Sequence, residues 1–285
     1  MLRKAFALAA PLLAAVGLTF VAAPSLAETS AAPLQEGAWT FQGPLGKYDQ
    51  AQLQRGYKVY REVCSACHSM DLMYFRNLGQ KGGPFYDEKY KNPTDNPYVK
   101  SLAKDIQVSD IDSETGDAIK RPATSADKFP APFPNETAAR ASNGGALPPD
   151  LSVIAKAREG GPNYIHAILT GFVKPPAGLN VTPGKYYNPY FPGDLTSFWT
   201  GKGPAPEGGF IGMPPPLAPN KVTFDDKTPS TVDQQAKDVA AFLAWAAEPK
   251  MEERKAFGLG AMIYLLIFTG LLYWSYRRIW RNVAH

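Results

Sequence analysis

Apolar residues follow two patterns along this chain. At both ends they run almost unbroken. Between the ends they recur every three or four residues, the period of a helix with one buried face. The N-terminal run covers residues 5–23, behind Arg3 and Lys4 and ahead of Ser25-Leu26-Ala27. A positive start, an apolar stretch and a small-x-small end predict an export signal cleaved after Ala27. Its length also suits an uncleaved anchor, but its Ala-rich composition and Pro11 favour removal. The C-terminal run, "FGLGAMIYLLIFTGLLYWSY" at residues 257–276, holds 20 positions without a charge. As a helix it would span about 30 Å, the hydrocarbon thickness of a bilayer. Tyr273, Trp274, Tyr276 and Trp280 gather beside Arg277, Arg278 and Arg281. Aromatic anchors beside a positive flank place that end in the cytoplasm. The predicted organisation is a signal peptide (1–27), an exported domain (28–249), a juxtamembrane linker (250–256), a transmembrane helix (257–276) and a cytoplasmic tail (277–285).

Within the exported domain the helical period is local. Residues 48–63, "YDQAQLQRGYKVYREV", place Leu53, Tyr57, Tyr60 and Val63 on one face, with Asp49 as the cap. Gly56 sits in mid-helix, where glycine weakens the helix but lets a second one cross closely. The natural partner is residues 231–248, with Val232, Val239, Phe242, Leu243 and Ala246 as its stripe. Thr231 and Gln234 stand at capping-box spacing. Residues 150–158 and 162–170 read as two shorter helices. Asp150 would cap the first; Pro162 would open the second and Gly171 end it. The remainder is rich in Pro, Gly and aromatics, with little strand alternation and no internal repeat.

Charge changes the picture once it is divided. The whole chain is +4. Eight of its 30 basic residues, but only two of its 26 acidic ones, lie in the signal or from Lys250 onward. Residues 28–249 are therefore near −2, 22 basic against 24 acidic. No basic patch with interleaved aromatics appears, so nucleic acid is not an expected partner. Residues 105–117, "DIQVSDIDSETGD", carry five acids and no Lys or Arg. They read either as a solvated loop or as a docking patch for a basic partner.

The only two cysteines stand in "CSACHSM", residues 64–70. A zinc site needs about four ligands, and beyond these cysteines the chain offers only His68, His166 and His285. No βαβ pattern surrounds Cys64, as a thioredoxin-type pair would want. A disulfide between residues three apart would be strained. The C-x-x-C-H spacing is that of c-type haem attachment. One helical turn brings both sulfurs to one side, and His68 follows as the proximal ligand. For the opposite face of the iron, Met70 and Met73 are too near His68, and Met251 adjoins the membrane span. His166 lies within a helical run, where a histidine more often plays another part. Met213, in "FIGMPPPLAPN", sits in a loop that Pro214, Pro215 and Pro216 stiffen. A Met in a core gap is the commoner case, but its place just ahead of the last soluble helix favours the ligand role.

Taken together, "CSACHSM", "ASNGGALPPDLSVIAKAREGG", "YYNPYFPG", "IGMPPPL", "TVDQQAKDVAAFLAWAAEPK" and the single C-terminal span resemble the cytochrome c1 family from about residue 41 to residue 278. The resemblance implies a mainly α, class I cytochrome c-like haem domain with long loop insertions, plus one C-terminal transmembrane helix. It implies one covalent haem c, held by Cys64 and Cys67 with His68 and Met213 as axial ligands. Asn143, Pro149, Arg158 and Tyr164 match stretches that line the haem in that family, an arginine lying near a propionate. Some bacterial members carry an extra cysteine pair in the insertion, which this chain lacks. The implied role is electron relay beside cytochrome b and Rieske iron–sulfur subunits, with a mobile c-type cytochrome as acceptor. The implied location is the bacterial inner membrane, haem domain periplasmic. A haem subunit of a terminal oxidase and an open-site haem enzyme are the alternatives; a closed iron with Met213 bound separates the family role from the latter.

Overall fold

The computed structural model describes residues 31–282. The predicted signal at 1–27 and the last three residues of the tail lie outside them. In chain order the elements are α1 (Gln50–Glu62), α2 (Pro97–Lys104), β1 (Gln107–Ile111), β2 (Ala118–Pro122), α3 (Glu136–Ser142), α4 (Ile154–Ala157), α5 (Pro162–Thr170), β3 (Tyr186–Asn188), β4 (Gly209–Ile211), α6 (Val232–Ala247) and α7 (Met251–Trp280). Four short 3₁₀ turns punctuate the loops. The mainly α class is borne out. The strands form two separate antiparallel hairpins, β1 with β2 and β3 with β4.

The core is built where α1 crosses α6. A Cβ on Gly56 would lie 2.1 Å from the carbonyl oxygen of Asp238 and 2.6 Å from Phe242 Cβ, so only glycine permits this approach. Around the crossing, Phe242 packs against Tyr57 and Tyr60, with ring centroids 5.7 and 5.9 Å apart. Phe129 extends the aromatic cluster from Tyr60 to Phe75. The Asp238 carboxylate is fully buried at the same place. It accepts from Gln52 Nε2, Gln234 Nε2 and Arg55 Nε, the last at 2.7 Å. Arg55 reaches on to Asp226 at 2.6 Å. A buried charge fully satisfied in this way fixes one register of helix on helix, because any slip would strand it.

Both long caps form as expected. Asp49 accepts from Gln52 N, and Thr231 from Gln234 N. The Gln234 side chain turns to Asp238, so the reciprocal half of the capping box is spent on the crossing. Burial on α6 exceeds the predicted stripe: Ala240, Ala241, Ala244 and Trp245 are buried too. The reason is a second neighbour, since α5 packs against α6 and carries Ile165 and Leu169 into the main core. His166 Nε2 on α5 meets Asp233 Oδ1 on α6 at 2.9 Å.

Three expectations need correction. The helix predicted at 150–158 shrinks to α4, and no side chain caps it. The acidic stretch 105–117 is a strand and turn rather than an irregular loop. Asp110 in it bonds Arg121 across the hairpin, and Asp112 Oδ1 accepts from Glu114 N and Thr115 N. Much of its charge thus serves the hairpin. Finally, the predicted linker at 250–256 is helical from Met251 and continuous with the membrane segment. Met251 is buried in the core, Glu252 Oε1 accepts from Tyr48 N at 2.9 Å, and Lys255 Nζ donates to the carbonyls of Phe41 and Gly46 at 2.7 and 3.3 Å. From Phe257 the large apolar side chains of α7 are exposed, and by length and composition α7 is one candidate membrane span among the described residues.

Two outcomes follow. Gly56→Ala must push α1 and α6 apart, an overpacking cost of about 1–3 kcal/mol or more; urea unfolding of the detergent-solubilised protein will read it as a lower midpoint. A chain stopped after Ala256 keeps the contacts of Met251, Glu252 and Lys255, whereas one stopped after Pro249 loses them. Both are expected in the soluble fraction, the shorter with the lower melting temperature.

Candidate functional site

The site begins where α1 ends. Ser65 Oγ donates to the Arg61 carbonyl at 2.7 Å, and the chain tightens into a 3₁₀ turn over Cys64–Ala66. The backbone N–H groups of Cys67 and His68 both donate to the Cys64 carbonyl, at 3.1 and 2.9 Å. One turn therefore carries both thiols and the imidazole. Both cysteines are free: Cys64 is half-buried against the core and Cys67 is exposed. Burial pushes the Cys64 thiol up to about 12, and the Lys221 ammonium opposes that shift.

His68 is held by a neighbour 81 residues away. Its Nδ1 lies 2.8 Å from the Pro149 carbonyl oxygen. The carbonyl can only accept, so Nδ1 carries the proton and Nε2 is left as a free lone pair, the state a metal ligand requires. Burial lowers the His68 pKa, with the Pro149 contact working the other way. Pro149 is set in turn by Asp150. Oδ2 of Asp150 accepts from Ser69 Oγ and Asp71 N at 2.8 and 2.7 Å, and Oδ1 accepts from Ser152 N at 2.8 Å. Leu151 N donates to the Ser69 carbonyl, and Leu72 N to Ser152 Oγ. Residues 69–72 and 149–152 are thereby laced side by side. Asp150, expected as a helix cap, is the knot of this lacing.

The other predicted residues are placed unevenly. Asn143 caps the C-terminus of α3, Nδ2 donating to the Ala139 carbonyl at 2.7 Å. Gly144 and Gly145, both with positive φ, then turn the chain toward Ala146 and Pro149. Met213 is half-buried. Its neighbour Gly212 lies against this same segment, where an added Cβ would stand 3.1 Å from Ala146 Cβ. Cys64, Cys67, His68 and Pro149 are thus directly joined, and the Met213 loop is packed onto the strip that holds His68. Arg158 is exposed and donates to the Ala157 carbonyl at 3.0 Å, and Tyr164 is half-buried. Met70 and Met73 are buried in the core, and His166 is engaged by Asp233. Sequence reasoning missed Ser69, Ser152 and the true work of Asp150. The one available signal was the P-P-D run itself: two prolines keep residues 148–149 extended, and an Asp after them commonly bonds backbone N–H groups two residues on.

The donor set fits a covalent haem. Two free thiols and an imidazole with one ring nitrogen engaged lie in one turn. No group of three or more His, Cys, Asp or Glu suited to a metal ion appears among the described residues.

Two crossed helices, an attachment motif closing the first and an apolar helix following the second define a membrane-anchored domain of the c-type cytochrome class. The particular family is shown by comparison. The model of the Cytochrome C1 family matches residues 39–283. Cytochrome c1 of Rhodospirillum rubrum is 41% identical over 268 residues, covering 88% of this chain and 89% of that protein. An Arabidopsis thaliana protein named cytochrome c1 1, heme protein, mitochondrial, is 43% identical over 244 residues, 86% of this chain and 71% of its own. A Bradyrhizobium diazoefficiens protein named cytochrome b/c1 is 43% identical over 263 residues, 86% of this chain but only 35% of that longer protein. The chain belongs to the cytochrome c1 family.

Asp150 yields a pH-dependent prediction. Burial raises its pKa, but hydrogen bonds from Ser152, Asp71 and Ser69 together outweigh that and leave it below the usual carboxylate range. A depressed folded value means stability that is fully present above the unfolded value of about 3.9 and is lost as pH falls below it. Asp150→Asn should cost about 1.5–3 kcal/mol at neutral pH, the scale of a charge-assisted hydrogen bond. The gap between mutant and parent should close as pH is lowered through that window, read by denaturant unfolding at each pH.

Proposed function

We propose that this chain is the haem-bearing electron carrier of a quinol–cytochrome c oxidoreductase, taking electrons from the Rieske iron–sulfur subunit and passing them to a c-type cytochrome. The carrying observation is the His68 Nδ1 contact with Pro149, within one turn of two free thiols. Membership of the cytochrome c1 family supports it, as do relatives named as a heme protein and as cytochrome b/c1. The last name favours cytochrome b as a second neighbour.

In this reading Cys64 and Cys67 would hold haem c through thioethers, and His68 Nε2 and the Met213 sulfur would bind its iron. When bound, the haem supplies a one-electron iron couple, which needs no nucleophile, general base or substrate pocket. The protein's part is to keep the ligands still and exclude water from the iron. Pro149 fixes the imidazole plane, and the Asp150 lacing fixes Pro149. Met/His ligation would raise the reduction potential. Asn143, Arg158 and Tyr164 complete the pocket, with Arg158 toward a propionate.

Orientation rests on the sequence: an N-terminal export signal, and Arg277, Arg278 and Arg281 beyond the span. The haem domain is then periplasmic and the C-terminus cytoplasmic in a bacterial inner membrane. The acceptor is a mobile c-type cytochrome. The hairpin acids are weak candidates for its docking surface, because Asp110 is already paired with Arg121.

Met213→Leu tests the ligand set. The far-red sulfur–iron band of the oxidised protein should vanish, the reduced protein should bind carbon monoxide, and the midpoint potential should fall. A mutant that keeps its potential and stays closed to carbon monoxide would remove Met213 from the iron.

A further inference from the structure

The loop that carries Met213 has few backbone donors of its own. Between Met213 and Lys221 stand Pro214, Pro215, Pro216 and Pro219, none with an N–H to donate. Among the described residues no hydrogen bond is donated by a backbone N–H of 213–219. On the N-terminal side the last ladder contact is Ile211, paired with Tyr186. On the C-terminal side the next backbone donor is Asn220, to the Ser230 carbonyl at 2.8 Å. Over the span between, the backbone offers acceptors only, and their position depends on donors brought from elsewhere.

One comes from a backbone turn, Lys221 N donating to the Ala218 carbonyl at 3.2 Å, and two side chains bring the rest. Lys221 Nζ donates to the Pro216 carbonyl at 2.8 Å. Gln235, on the first turns of α6 and fully buried, donates from Nε2 to the Ala218 carbonyl at 2.8 Å and to the Ser230 carbonyl at 2.9 Å. The Gln235 amide thus clips the loop to the segment before α6 and to the helix that crosses α1. Leu217, between the two bonded carbonyls, packs on the main core.

We infer that Gln235 and Lys221 are the positioning residues of the sixth iron ligand, fixing where Met213 stands relative to the helix pair that ends in Cys64. The inference rests on the reading of Met213 as that ligand.

The test uses the full-length, haem-loaded protein in detergent, with Gln235→Leu, Lys221→Met, Lys221→Arg and Met213→Leu. Gln235→Leu and Lys221→Met should each weaken the far-red band and speed carbon monoxide binding to the reduced form at least tenfold. Each should also shift the oxidation equilibrium about tenfold, near 59 mV for one electron. Lys221→Arg, which keeps donor and charge, should restore most of both. Lys221 is exposed, so its variants fold even if burial makes Gln235→Leu unstable. If Met213→Leu opens the iron while Lys221→Met and any folded Gln235→Leu keep the parent band and potential, the positioning role is overturned and the ligand stands. If Met213→Leu itself changes nothing, the ligand assignment fails and the inference falls with it.

Discussion

The contact of Gly56 with the Asp238 carbonyl decides the spacing on which everything else is built. With no Cβ in the way, α1 and α6 approach backbone to backbone, and Phe242 packs on Tyr57 and Tyr60. Asp238 then becomes unreachable by water and must be satisfied from within, which Gln52, Arg55 and Gln234 accomplish. Hydrophobic burial brings the helices together; the buried carboxylate selects one arrangement of them. Because α1 ends directly in Cys64, that arrangement also fixes where the attachment turn sits.

From that turn outward, order is passed along by short polar contacts rather than by regular structure. His68 takes its orientation from Pro149, Pro149 from Asp150, and Asp150 from Ser69, Asp71 and Ser152. The chain here is mostly loop, yet few of its polar groups at the site are idle. Proline is used repeatedly to the same end. It removes donors, leaves carbonyls as the handles, and lets a few side chains decide the path.

How much of this was legible varies with the range of the interaction involved. Asp49, Thr231, Pro162 and the helices they open were plain, because caps and periodicity are local. The Cys64–His68 motif was plain because its chemistry fits within five residues. Gly56 was a hint that became meaningful only with its partner, 182 positions later, in view. Asp150 was misread because a residue before an apolar run looks like a cap, and nothing local reveals that Ser69 and Asp71 lie beside it. The breadth of burial on α6 was hidden for the same reason, as α5 on its far side adds a second buried face. The hairpin at 107–122 escaped notice because its strands are exposed and carry charge where an apolar alternation would be sought.

The membrane helix is rooted in the domain before it leaves it. Met251 inserts in the core, and Glu252 and Lys255 grip the 41–48 loop. A helix rising without an intervening flexible joint acts as a pillar rather than a tether. The attachment turn therefore stands at a set height and tilt over the bilayer surface. Electron tunnelling falls steeply with distance, so a stationary site leaves all of the travel to its neighbours. A surface held in this way can be shaped as a fixed port of call rather than as a moving arm.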